Sequence, residues 1–154
     1  MAEEGRQGLY RLIVVATDGS PPALHAVEHA VALAKEFSAA LRVIYVANAH
    51  LTFHLGAYQR LALETLEEEG RRAVGEALEV AKSAGLKDVG GEVLCGSPRQ
   101  AIVDWAKEQD ADLIVLGSHG YSRISYLLMG SVAEYVVRHA ACPVLVVRQK
   151  QGSP

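Results

Sequence analysis

The residues best suited to chemistry lie between positions 117 and 131, where Gly117-Ser118-His119-Gly120 is followed, after nine intervening residues, by Gly130-Ser131. Glycine lets backbone N–H groups approach a bulky anion closely and takes φ > 0 without steric cost. An apolar run precedes this stretch and a helical pattern follows it, so the stretch ends at a helix N-terminus. Such a terminus carries unpaired N–H groups and the positive end of the helix dipole. Ser131 adds a hydroxyl at the position where an N-cap belongs. Taken together, these types and spacings describe a cradle for phosphate, although any one of the glycines would equally suit a surface turn. Arg123 is the cation of the loop and a candidate for a side-chain phosphate contact; a solvated surface arginine has the same signature. His119 sits inside the cradle and is open to the same two readings.

A second cluster, Thr17-Asp18-Gly19-Ser20, ends the continuous apolar run Leu12 to Ala16. Runs of that length and uniformity mark strands buried on both faces, as in parallel sheets. Ser20-Pro21 reads as N-cap and first helical position. The helix that follows carries Leu24, Val27, Val31 and Ala34 on one side, with His25, Glu28, Lys35 and Glu36 on the others. In open parallel sheets, ligands sit beyond the carboxyl ends of the strands, where strand order reverses. If the first and fourth strands are neighbours, both clusters open onto one crevice. Asp18 is then an acceptor for a sugar hydroxyl or a base amino group; its alternative role is an Asx turn preparing the helix.

The elements that must position these clusters alternate strand with helix, which predicts a parallel sheet covered by helices. Leu41–Val46 is the second strand, and residues 47–58 show no period and read as a loop or lid. A long helix to about Ser83 buries Leu63, Leu66, Val74, Leu78 and Ala81, and Gly85 stops it. Val89–Leu94 is a weaker third strand, and Gly96-Ser97-Pro98 turns into a helix with Ile102, Trp105 and Ala106 on one face. Leu113–Leu116 is the fourth strand, Ser131 to about His139 the last helix, and Val144–Val147 the last strand. Residues 9–149 form one domain, with 1–8 and 150–154 as loose tails.

Composition narrows the classes. A chain of 154 residues, half of them hydrophobic, supports one sizeable core. A net charge of -3 gives no footprint for nucleic acid or anionic membrane. No apolar run is long enough to span a bilayer, and the acidic start, Met1 to Gly5, lacks a secretion signal. The cytoplasm is the expected compartment. Cys95 and Cys142 lie in apolar segments and read as buried thiols, not a disulfide. His25/His29 and His50/His54 have chelating spacing but no partners placed by sequence. Glu67, Glu68 and Glu69 beside Arg71 and Arg72 read as a solvated helix face.

The spacing glycine, two residues, glycine, nine residues, glycine, serine resembles the nucleotide signature of the ATP-binding branch of the universal stress protein family. The resemblance runs from Arg11 to Arg148 and includes Ala16-Thr17-Asp18-Gly19-Ser20, Gly96-Ser97-Pro98 and the closing Cys142-Pro143-Val144-Leu145-Val146-Val147. Many of those proteins have proline where this chain has Ala16. The resemblance implies a single-domain, Rossmann-like α/β fold of the adenine nucleotide alpha-hydrolase type. Its open, twisted, five-stranded parallel sheet would have order 3-2-1-4-5 and helices on both faces. It implies ATP with Mg²⁺ as ligand, Asp18 at the adenosine end, and the Val46 backbone against the adenine edge. Gly117 would lie by the ribose and first phosphate, with Gly120, Gly130 and Ser131 around the phosphates. Ala16, Thr17, Ser118, His119, Arg123 and Val132 complete the implied contacts.

Two function classes compete. One is a nucleotide-dependent regulatory module acting on an unknown protein partner; the other is a slow ATPase or phosphotransferase using the same site. Turnover needs a positioned nucleophile and strong neutralisation at the γ-phosphate, and the chain has no Walker-type G-x-x-x-x-G-K-[ST] loop. Hydride transfer is disfavoured because no G-x-G-x-x-G follows the first strand. The apolar run Val144 to Val147, preceded rather than interrupted by Pro143, lacks edge protection. The resemblance implies that it pairs across a two-fold axis to form a homodimer.

Overall fold

The computed structural model describes residues 8–119 and 129–149. In chain order these form β1 (Leu12–Ala16), α1 (Pro21–Phe37), β2 (Ala40–Asn48), a 3-10 helix (Ala49–Tyr58) and α2 (Gln59–Ser83). Then come β3 (Val89–Gly96), α3 (Pro98–Glu108), β4 (Leu113–Gly117), α4 (Ser131–His139) and β5 (Val144–Val147). All pairings are parallel, and the sheet order is β3-β2-β1-β4-β5. The chain therefore builds leftward from β1 through β2 to β3, then returns to the other side of β1 for β4 and β5. That reversal puts the switch point between β1 and β4.

Strand alternation divides the core. Ile13 and Val15 of β1 pack with Ala26, Val27, Ala30 and Val31 of α1 and Ala73, Val74 and Ala77 of α2. Val14 faces the other way, with Ile44, Ile102, Val103, Ile114 and Val136, under α3 and α4. Ile13, Val14 and Val15 are wholly buried, which is why the run is continuously apolar. Complete burial of an aliphatic side chain contributes about 1.5–3 kcal/mol relative to leaving it exposed.

Helix ends follow local chemistry. Gly85, at φ +94, ends α2 as expected. α1 and α3 are ended by non-glycine residues in the left-handed region, Ser38 (φ 54) and Asp110 (φ 58). Each turn is closed by a bond back to the helix, from Ala39 N–H to Ala34 O at 2.9 Å and from Ala111 N–H to Ala106 O at 2.9 Å.

Three expectations are corrected. β2 runs two residues past Val46, because β3 also extends and pairs Ala47 with Cys95 and Asn48 with Gly96. The segment read as a loop is a 3-10 helix broken by Gly56 at φ 56, ψ -121. Asn48 Oδ1 starts it by accepting the His50 N–H at 3.2 Å, and the Thr52 hydroxyl donates to Ala49 O at 2.7 Å. The thiols also differ from expectation. Cys95 is exposed, because β3 is an edge strand, and Cys142 lies half-buried in the turn before β5. Burial, and secondarily the nearby Asp112 carboxylate, push the Cys142 thiol above its ordinary pKa. The expected tails, residues 1–8 and 150–154, lie outside the described residues except for Gly8.

Candidate functional site

At the end of β1, Thr17 donates its N–H to Ile44 O at 2.9 Å, the last rung between β1 and β2. Three side-chain-to-backbone bonds then shape the turn. Thr17 Oγ1 accepts from Gly19 N–H at 3.1 Å, Asp18 Oδ1 from Ser20 N–H at 2.9 Å, and Ser20 Oγ from Ala23 N–H at 3.3 Å. Asp18 thus makes the Asx turn that its sequence context allowed, and it does so with one oxygen while the residue remains exposed. Ser20 is the N-cap of α1. A helix leaves its first four N–H groups without intrahelical partners. Here Pro21 and Pro22 supply none, Ser20 Oγ takes that of Ala23, and Leu24 N–H bonds Ser20 O at 3.0 Å. The start of α1 offers an anion no free donor.

The start of α4 differs. Its N-cap is Gly130, at φ -64 and ψ 157, and no side chain caps it. Ser131, expected at that cap, is instead the first helical residue and is exposed. The reason is steric. Gly130 N–H donates to Ser118 O at 2.7 Å, and a Cβ at Gly130 would lie 2.8 Å from that same oxygen. Only glycine passes so close beneath the carbonyl.

Ser118, buried, also donates its N–H to Val147 O at 2.9 Å, and its Oγ lies 3.2 Å from His119 Nδ1. It therefore ties β4, β5 and α4 together at the crevice. A Cβ at Gly117 would approach Pro22 O at 3.4 Å and His119 O at 3.3 Å, so the first turn of α1 and the loop after β4 meet there. Val132 is partly buried among the residues beneath α4. Gly120 and Arg123 lie outside the described residues.

β2 supplies the third wall. The β1–β2 ladder ends at Ala16 opposite Ile44, while β2 continues beside β3 to Asn48. In a parallel strand, alternate residues turn both backbone groups to the same neighbour. Ala40 donates to Arg11 on the β1 side and Leu41 to Asp88 on the β3 side. By this alternation Val46 turns its N–H and C=O toward β1, but beyond the point where β1 has left the sheet. A donor and an acceptor thereby face the space beside Ala16, Thr17 and Asp18, spaced as a strand edge spaces them.

One residue that sets this geometry was missed in the sequence. Asp112 Oδ2 accepts the N–H groups of Arg11 and Leu12 at 2.8 and 2.9 Å, and its own N–H donates to Leu12 O at 2.9 Å. It locks β1 to β4 at the end opposite the crevice. Its only sequence signal is an aspartate immediately before the fourth apolar run.

Among the described residues, neither histidine pair gains a third metal-ligating side chain. His25 and His29 meet edge to face at 4.8 Å, and His25 Nδ1 is 3.4 Å from Glu28. Among the described residues, no group of three or more His, Cys, Asp or Glu is arranged to hold a metal. Glu68 pairs with Arg71 at 2.7 Å on the solvated face, and this contact lowers its carboxyl pKa. No helix among the described residues is long and apolar enough to cross a membrane.

The model of the universal stress protein family matches residues 9–148. A universal stress protein of Methanocaldococcus jannaschii is 40% identical over 146 residues, covering 93% of this chain and 85% of its own length. Among solved structures, the universal stress protein UspA from Lactobacillus plantarum superposes with a TM-score of 0.81 at 31% identity, over 90% of this chain and 98% of that one. A universal stress protein in complex with cAMP gives 0.72 at 30% identity, over 92% and 99%. One from Archaeoglobus fulgidus in complex with dAMP gives 0.63 at 26% identity, over 90% and 98%. With the sheet order, the crevice and these matches in agreement, the chain belongs to the universal stress protein family.

Proposed function

We propose that this protein is a nucleotide-dependent regulatory module that binds ATP with Mg²⁺ in the crevice between β1 and β4. The observation that carries the reading is the unequal pair of helix starts. α1 presents Asp18 and no free donor, whereas α4 begins at a glycine with no side-chain cap. A ligand with one neutral, hydroxyl-rich end and one polyanionic end suits that asymmetry in a single orientation. Relatives of the same fold in complex with cAMP and dAMP support an adenine nucleotide.

The residues present fit such a ligand. The Val46 N–H and C=O would meet the adenine edge, and Asp18 the ribose hydroxyls. Gly117 would lie along the ribose and first phosphate, with Gly120, Gly130, Ser131 and Val132 around the phosphates, aided by Arg123. Ala16, Thr17, Ser118 and His119 form the intervening walls. Mg²⁺ is ordinarily carried by phosphate oxygens and water with few protein ligands, so it does not require a carboxylate cluster of the kind not found among the described residues. Occupancy would order the cradle and change affinity for a protein partner. Protomers would pair through β5, Val144 to Val147, which lies at a sheet edge.

Calorimetry on wild type and Asp18→Ala tests the reading. Removing a charged hydrogen-bond partner costs about 1.5–3 kcal/mol, so ATP should weaken roughly tenfold or more. Inorganic tripolyphosphate should bind both proteins alike. Wild type with no measurable ATP affinity would end the proposal. Phosphate release abolished by Asp18→Ala with ATP affinity intact would establish the ATPase reading instead.

A further inference from the structure

We propose that Thr17 is the positioning residue of this site, holding the loop so that Asp18 keeps one carboxylate oxygen free for the nucleoside. The inference rests on the nucleotide reading above and concerns a buried side chain that bonds its own turn. Thr17 is 8% exposed, whereas Asp18, its neighbour, faces solvent. The hydroxyl oxygen of Thr17 is committed to Gly19 N–H at 3.1 Å. Gly19 stands at φ +82, where the chain reverses, and the Asp18 Oδ1 bond to Ser20 N–H follows directly.

The two bonds divide the local donors. Thr17 serves Gly19, and Asp18 serves Ser20 with one oxygen only. If Thr17 loses its acceptor, Gly19 N–H is left to compete for the adjoining Asp18 carboxylate, because short polar side chains bond neighbouring backbone groups. Asp18 would then be drawn into its own turn by both oxygens and withdrawn from the ligand. Thr17 thus protects the availability of Asp18 through its hydroxyl, in addition to any wall its backbone gives the crevice. Valine keeps the shape and removes the acceptor; serine keeps the acceptor.

The test is a set of variants titrated with ATP and with inorganic tripolyphosphate. Thr17→Val should weaken ATP about fivefold, the scale of one lost neutral hydrogen bond, and leave tripolyphosphate unchanged. Thr17→Ser should stay within about twofold of wild type. In an Asp18→Ala background, Thr17→Val should have no further effect on ATP, because the two act through one group. The Gly19 amide of the ligand-free protein gives an independent reading by NMR. Its hydrogen-bonded temperature dependence should persist in Thr17→Val, where Asp18 takes over as acceptor, and be lost when Thr17→Val is combined with Asp18→Ala.

Equal ATP affinity in wild type and Thr17→Val, additive losses in the double variant, or failure of serine to rescue would each overturn the inference. A wild-type Gly19 amide that behaves as unbonded would overturn it even if Thr17→Val does not fold. A wild type that binds tripolyphosphate but no ATP would instead sink the nucleotide reading, a result visible before any variant is made.

Discussion

Gly130 answers to two demands, and only one was visible in the sequence. Its place in the glycine pattern suggested room for a phosphate, but the protein itself requires it, since a Cβ would sit 2.8 Å from the Ser118 carbonyl. Gly130→Ala is therefore expected to destabilise the ligand-free protein by about 1–3 kcal/mol, measured by urea denaturation. A stability equal to wild type would show that the loop relaxes away from the contact. Variants at Gly130 accordingly report on packing as well as on ligand, which makes Asp18 the cleaner probe. Asp18 itself was half legible. Its neighbours announced both an Asx turn and a ligand contact, and the geometry shows how one carboxylate can serve the first with a single oxygen. Asp112 was not legible at all, because the groups it holds lie 100 and 101 positions away.

At the scale of elements, continuous apolar runs identified β1 and β4 because burial on both faces leaves no room for alternation. What the runs do not mark is where a strand stops. β2 outlasts its apolar stretch because β3 gives Ala47 and Asn48 partners, whereas Val46 reaches the crevice because β1 ends opposite Ile44. The 3-10 helix escaped notice for a different reason: it is set by individual bonds at Asn48 and Thr52, not by a period. Glycine within elements carries opposite meanings that the sequence cannot separate. A Cβ at Gly91 would clash with Val74 Cγ1 and lie 3.2 Å from Val43 O, where α2 crosses the sheet. One at Gly75, within α2, meets nothing within 4 Å. Gly91→Ala should lower stability by about 1–3 kcal/mol through overpacking. Gly75→Ala should raise it by about 0.5–1 kcal/mol through helix propensity and a less flexible unfolded chain. Thermal melts that move both the same way would contradict this account.

For the whole molecule, the order β3-β2-β1-β4-β5 leaves β5 at one edge with Val144, Leu145 and Val146 only partly covered. Sedimentation at tens of micromolar should show a dimer, and Val146→Pro, which deletes a backbone donor and places a ring in the ladder, should shift it to monomer. A monomeric wild type would exclude the pairing; circular dichroism must show that the variant keeps its fold. The same order has a consequence in time. β1 and β2 are close in sequence, but β4 joins β1 across a span like that from Arg11 to Asp112, 101 residues. Closing so long a segment costs chain entropy before any contact rewards it, so distant pairings tend to form late. The crevice lies across that β1–β4 seam and exists only once nearly the whole chain is in place. A nucleotide seated there binds the native state and not the barrier that precedes it. Saturating ATP should therefore slow unfolding and leave the refolding rate unchanged, as stopped-flow chevrons with and without ligand would show. Faster refolding in ATP would mean that the seam closes before the barrier is crossed, and that the nucleotide meets the chain while it is still folding.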